Sequence, residues 1–385
     1  MKTRPLMLGV ALAGLLALCA PALPRADQPA APAPASAPAD SPKPADAPAN
    51  PAPAVDPAHP TAENAAAENE ITPALEACVN KGLAALAKQQ DLDGSFGPQN
   101  FGHNVAITAL ACIALMADGN LPGRGAYAQT VEKGLEFTLK NCTETGLIAS
   151  ETSHGPMYGH GFATLFLGEV YGMTQGGDET EQAKRLHEAL VKAVRLIVQT
   201  QNDEGGWRYN PVPTDADVSV TICQVMALRS ARNAGLEVPK STIDRAVEYV
   251  RQCQNTDGGF RYQLGRGGSA WPRSAAGVAT LFYAGIYKDD AIDRGLKYLV
   301  DSALPGANPV QGPHYFYGQY YSVQAMYLAG GENWNRWWPS IRRELIAAQD
   351  EKGLWNDSSA GDAYGTAMAL IVLQMPKRYL PIFQK

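Results

Sequence analysis

One phrase recurs along the chain and constrains its fold more than any other feature. A basic residue opens an amphipathic run, a Gln falls near its end, and a Gly then precedes an aromatic residue. The clearest copies lead from Lys192-Ala193-Val194 through Gln201 to Gly205-Gly206-Trp207, and from Arg245-Ala246-Val247 through Gln254 to Gly258-Gly259-Phe260. Looser copies run from Lys81-Gly82-Leu83 through Gln90 to Gly94-Ser95-Phe96, and from Arg342-Arg343 through Gln349 to Gly353-Leu354-Trp355. Lys133-Gly134-Leu135 and Arg294-Gly295-Leu296 keep only the opening, the first running on to Gly146-Leu147. Six openings imply six units of one repeated architecture.

Each unit has a direct physical reading. The amphipathic run is a helix with one buried stripe, the Gly ends it at low steric cost, and the aromatic packs over the turn. A second run follows each turn, apolar or small on most faces: 105–116, 163–171, 218–231, 275–286, 320–329 and 366–373. Helices apolar all round are enclosed ones. Six pairs, each with a sheltered and an exposed member, predict an all-α fold, an α/α toroid with an inner ring of six helices inside an outer ring of six. An open superhelical array is the alternative, but its terminal repeats would carry a polar cap, and the last run, 367–373, is among the most apolar in the chain.

Ahead of the repeats, Lys2 and Arg4 precede an apolar run from Leu6 to Ala20 and the small-residue spacing Ala20-Pro21-Ala22, the pattern of a cleaved secretory signal over residues 1–22. The run is shorter than the roughly 20 residues that cross a bilayer, which argues against a membrane anchor. Leu18 before Cys19 argues against lipidation. Residues 23–69 are mostly Ala and Pro with almost no large apolar side chains, so they are expected to form a disordered tether. The toroid is expected over 70–385, in a periplasmic or extracellular protein with no membrane span after cleavage. The net charge of -6 and the lack of a Lys/Arg block give no surface for nucleic acid. Five cysteines lie beyond the signal, an odd number without a CxxC pair, and no metal or other cofactor is expected.

The Gln-to-Gly-aromatic phrase resembles the repeat of squalene and oxidosqualene cyclases and of protein prenyltransferase β subunits, over nearly all of the expected folded part. The segments His154-Gly155-Pro156-Met157-Tyr158-Gly159-His160-Gly161-Phe162 and Asp217-Val218-Ser219-Val220-Thr221 resemble bacterial exported proteins with prenyltransferase/squalene-oxidase repeats. Squalene-hopene cyclases protonate an alkene with the middle carboxylate of an Asp-x-Asp-Asp-Thr-Ala motif; here the corresponding place reads Asp215-Ala216-Asp217-Val218-Ser219-Val220, and Asp217 falls where that acid stands. Val218 replaces one carboxylate, and the chain has length for one barrel where those cyclases have two. The Asp-x-Cys zinc pair of prenyltransferases and the Cys-Gly-Glu-Gln of thioester domains do not occur.

In a closed ring the first turns of the inner helices share one mouth, and polar residues recur there: His103 and Asn104; Tyr158 and His160; Asp215, Asp217 and Ser219; Trp271 and Arg273; Tyr317, Gln319 and Tyr320; Asp362 and Tyr364. Such a rim above apolar walls has the usual form of a small-molecule site. As catalytic candidates, Asp217 is a general acid or polar anchor, Asp215 its charge partner, and His160 or His103 a tuning hydrogen-bond partner. The other rim residues are candidate ligand contacts, with Tyr158, Tyr320 and Tyr364 facing an apolar or cationic guest. The competing reading makes Asp217, Ser219 and Asp362 helix caps, His103 and His160 turn residues, and the tyrosines packed wall. Trp334, Trp337 and Trp338 read as a surface or inter-repeat cluster before the last outer helix.

These features point to a toroid that binds a small apolar, isoprenoid-like molecule or lipid, with cyclase-like acid chemistry at Asp217. A non-catalytic scaffold for a lipid or protein partner is one alternative. A carbohydrate-active toroid using Asp362 and Arg273 is another.

Overall fold

Glycines and apolar periodicity divide the chain into alternating helices, as the repeat demands. The computed structural model describes residues 70–97, 102–150, 155–174, 180–306 and 314–384. The expected signal and tether lie outside the described residues. The six repeat openings lie inside six helices that start before the basic residue: α1 (Pro73–Ala87), α3 (Ala128–Lys140), α5 (Glu181–Gln199), α7 (Lys240–Gln252), α9 (Asp290–Ala303) and α11 (Gly331–Ala348). Between them come α2 (Val105–Met116), α4 (Met157–Thr174), α6 (Val218–Asn233), α8 (Trp271–Tyr283), α10 (Tyr315–Ala329) and α12 (Gly361–Leu373). No β-strand occurs among the described residues, only isolated bridges within turns.

The even-numbered helices pack in order around an axis, and α12 packs back against α2, closing the inner ring. The first outer helix, α1, likewise meets α11 and α12 of the last repeat. The two rings differ as their sequences require. In α5 the buried residues Leu186, Ala189, Leu190, Ala193, Val194 and Ile197 follow helical spacing and form one stripe. In α2 every residue except Ala106 is buried. This is an α/α toroid, and the open array is excluded by its closure.

The repeat motif proves to be the joint between neighbouring units. Gln201 donates from Nε2 to the carbonyl of Gly205 in its own turn at 2.7 Å and to that of Thr242 in the next outer helix at 2.9 Å. Gln254 does the same with Gly258 and Ala291, and Gln90 with Gly94 and Thr130. Gln349 closes the circle by donating to Gly353 and, across the seam, to Cys78 of α1. The turn glycine must be Gly for two reasons: Gly205 has φ +100°, and a Cβ there would lie 2.3 Å from the carbonyl oxygen of Arg245, the basic residue that opens the next repeat.

The aromatic is tied inward. The backbone N–H of Phe96, Trp207, Phe260 and Trp355 donates to Thr108, Thr221, Ser274 and Thr366 respectively, each a hydroxyl in the second turn of an inner helix. In the second repeat Ile148 takes the aromatic's place, and its N–H donates to Nδ1 of His160.

Two expectations about elements need correction. Trp334, Trp337 and Trp338 lie within α11 and are buried; the helix continues through Pro339, although that residue cannot donate to the carbonyl of Asn335. The indole N–H groups of Trp334 and Trp338 donate to Glu70, fixing the point where the described chain joins the ring. Inner helices α4, α8, α10 and α12 also begin four to six residues before their apolar runs, because their polar first turns are already helical. At the far end of the ring, where the inner helices finish, Leu380, Ile382 and Phe383 of the C-terminal tail are buried, and the Ile382 N–H donates to Glu169 of α4 at 3.1 Å.

Candidate functional site

The starts of all six inner helices contribute to two adjoining cavities at the mouth. The first, about 410 Å³, draws on Asn104 of α2, Tyr158 of α4, Tyr317 of α10 and Tyr364 of α12, over a floor of Ile107, Leu110 and Phe162. The second, about 600 Å³, draws on Ser219 of α6, Trp271 and Arg273 of α8, and Tyr262 from the preceding turn. Tyr158, Tyr209, Tyr317 and His314 border both. Tyr317 is held upright by donating to the Ser219 carbonyl at 3.1 Å, and Trp271 packs on Gly318, where a Cβ would fall 2.1 Å from its ring.

Asp217 caps α6, accepting from the Val220 N–H at 2.9 Å, as its position before an apolar run requires. It is also fully buried, which a cap need not be. Burial pushes its carboxyl up to about 6, against the opposing pull of the Val220 N–H, Arg208, the Ser219 N–H and the Tyr262 hydroxyl. Its Oδ2 lies 3.4 Å from Nε of Arg208. The Arg208 guanidinium also pairs with the half-exposed Asp215 and lies against the rings of Tyr209 and Tyr262, 4.8 and 5.4 Å from their centroids. The hydroxyls of those two tyrosines touch. Asp217 thus lies beside the Tyr262 hydroxyl and lines neither cavity.

The other expected residues divide. Asn104, Tyr158, Trp271, Arg273, Tyr317 and Tyr364 come together around the two cavities; Asn104 doubles as the cap of α2. His160 does not meet Asp217. Its Nδ1 accepts from Ile148 and its Nε2 donates to the Ala193 carbonyl at 3.2 Å, so it fills the wall position that Thr or Ser holds in other repeats, and burial lowers its pKa to about 4. His103 sits on the turn before α2, 2.7 Å from Asp93. Tyr320 is buried beneath the floor, edge-on to Phe162. Asp362 lies inside the first turn of α12, where it accepts from Asn356; Ala360, not Asp362, holds the cap position.

Sequence reasoning missed Arg208, Tyr209 and Tyr262. The signal was present, since Gly206-Trp207-Arg208-Tyr209 and Gly259-Phe260-Arg261-Tyr262 are the same phrase in successive repeats. Among the described residues, no three His, Cys, Asp or Glu side chains converge as a metal cage, all five cysteines are free, and no helix is long and apolar enough to cross a membrane.

No known protein family's sequence profile matches the chain. Over 157 residues, 41% of its length, it is 26% identical to drimenyl diphosphate synthase of Streptomyces showdoensis, and the matched stretch spans 26% of that protein. The structure of the type II terpene cyclase MstE from Scytonema, in complex with geranylgeranyl dihydroxybenzoate, superimposes with a TM-score of 0.54 at 15% identity, covering 80% of this chain and 98% of that one. Cellobiose 2-epimerase from Bacillus thermoamylovorans superimposes with a TM-score of 0.59 at 11% identity, covering 79% and 99%, and D-mannose isomerase with 0.57 at 13%, covering 80% and 98%. At these identities the superpositions establish architecture: the chain is a terpene-cyclase-like α/α toroid, in a fold that sugar isomerases and epimerases share. One toroid accounts for nearly all of the MstE chain, so the length of a single barrel does not set this chain apart from cyclases.

Proposed function

We propose that the toroid binds an apolar, isoprenoid-like molecule in the cavity at its mouth. The make-up of the 410 Å³ cavity carries this reading, with an aliphatic and aromatic floor and four tyrosines in its walls. Its size falls within the few hundred cubic ångströms usual for small-molecule sites. A sugar would need a hydrogen-bond partner for nearly every hydroxyl, and the floor residues Ile107, Leu110 and Phe162 supply none. The distant sequence match to a drimenyl diphosphate synthase supports the same choice. Native mass spectrometry of the purified full-length protein tests it. A retained polyprenyl species is the expected result, and a retained glycan the contrary one.

The acid chemistry belongs to the same proposal, with Asp217 as donor. Its raised pKa of about 6 leaves a fraction of the carboxyl protonated near neutral pH, sheltered from water. In the proposed step the carboxyl O–H bond breaks and a C–H bond forms on one alkene carbon, leaving the positive charge on the other, facing tyrosine rings. Loss of a proton from the product carbocation completes the balance. Because Asp217 lines neither cavity, the residues around it would have to move for the alkene to reach the acid. Incubating geranylgeraniol with wild type and Asp217→Asn and analysing products tests the step; equal turnover removes Asp217 from the chemistry. Export is also part of this reading and rests on residues 1–22.

A further inference from the structure

We infer that the ligand is an amphiphile, a polyprenyl chain ending in a single carboxylate that Arg273 receives. This deepens the proposed function and rests on it. The two cavities meet at Tyr158, Tyr209, Tyr317 and His314, yet their other lining residues differ. Of the residues they do not share, Ile107, Leu110 and Phe162 line the first, and Trp271, Pro272 and Arg273 line the second. A guest occupying both therefore meets hydrocarbon in one and positive charge in the other.

The state of the two arginines at the mouth decides which one takes the head. Arg208 is already paired with Asp215, and its Nε lies 3.4 Å from Asp217. Arg273 forms no ion pair among the described residues; its Nε donates to the Phe260 carbonyl at 3.0 Å and its Nη2 to the Gly268 carbonyl at 2.6 Å. Those carbonyls fix the plane of the guanidinium without cancelling its charge. An oriented, half-buried cation with no counter-ion is an anion acceptor, because a carboxylate gains a charge-assisted hydrogen bond there and the reorganisation cost has been met in advance. One guanidinium matches one negative charge, which favours a carboxylate over a diphosphate.

The test compares geranylgeraniol with geranylgeranoic acid, the same chain with a neutral or an anionic end, by equilibrium binding to the full-length protein at pH 7.5. Wild type is expected to prefer the acid by about tenfold or more, with the preference shrinking as NaCl rises. Arg273→Gln should abolish the preference, bringing the acid's affinity down to about that of the alcohol, with thermal melting showing that the variant is folded. If that variant does not fold, the wild-type preference and its salt dependence decide alone. Equal, salt-independent affinities overturn the carboxylate head while leaving the apolar site intact. Failure of both ligands to bind overturns the apolar site itself.

Discussion

Nε of Arg208 lies 3.4 Å from Oδ2 of Asp217, so a fully buried aspartate at the ring mouth is opposed by a cation that two tyrosine rings flank. Burial raises the carboxyl to about 6 and Arg208 is among the groups that hold it down. Arg208→Met, which keeps the aliphatic stem and removes the charge, should move the Asp217 pKa further up. Carboxyl-carbon NMR of labelled protein across a pH series would show the shift; an unchanged midpoint would mean that the pair does not interact across that gap.

The buried carboxyl of Glu169, at the opposite end of the ring, accepts from Ser230 at 2.7 Å and from the Ile382 N–H, and burial raises it to about 7. A carboxyl raised above its unfolded value contributes stability that is fully present at acid pH and lost as pH rises through the folded value. Stability should therefore decline between about pH 4.5 and pH 7, by on the order of 3 kcal/mol for this group alone. Glu169→Gln imitates the protonated form, so denaturation curves should show the variant near wild type at pH 5 and more stable at pH 8. A variant equally destabilised at both would show that the site prefers the anion.

His160 is assigned to the wall and away from chemistry. His160→Leu leaves the Ile148 N–H without its acceptor inside the ring, which costs about 1–3 kcal/mol. Its pKa is depressed to about 4, so its contribution is present above the unfolded value near 6.5 and is lost as pH falls through 4. Melting temperature should fall while ligand affinity holds. Loss of binding without loss of stability would return His160 to the site.

Ring closure makes its own prediction. Gly353 has φ +93°, and a Cβ there would stand 2.8 Å from the Lys81 carbonyl across the seam between the last and first repeats. Gly353→Ala should cost at least the 1–2 kcal/mol of a left-handed alanine. Gly306→Ala, with a similar φ of +89° and open space around it, should cost only that strain. Urea denaturation of both variants separates the two contributions, and equal losses would deny the seam contact.

The fold was readable because its signal is repeated. Gln201, Gln254 and Gln349 recur at one place because each makes the same two hydrogen bonds, so a physical constraint appears several times in one chain. The site was readable only in part. Asn104, Tyr158 and Arg273 could be placed at the mouth because helix starts converge in a ring. His160 was left between two readings because a polar residue one turn into an inner helix either faces the axis or satisfies the neighbouring turn, and a rule based on helix starts does not distinguish those directions. Aligning it with Thr108, Thr221, Ser274 and Thr366 does. Arg208 escaped notice because its role depends on Tyr262, one repeat away in sequence and adjacent only after folding.

Ala360 borders the apolar cavity at the start of α12, so a larger side chain there is expected to take up part of the cavity. Titrating geranylgeraniol into wild type and Ala360→Trp measures the central claim directly. The account predicts one bound equivalent for wild type and at least a tenfold weaker affinity for the variant at an unchanged melting temperature. Undiminished binding to the filled cavity, or no binding to wild type, would contradict it.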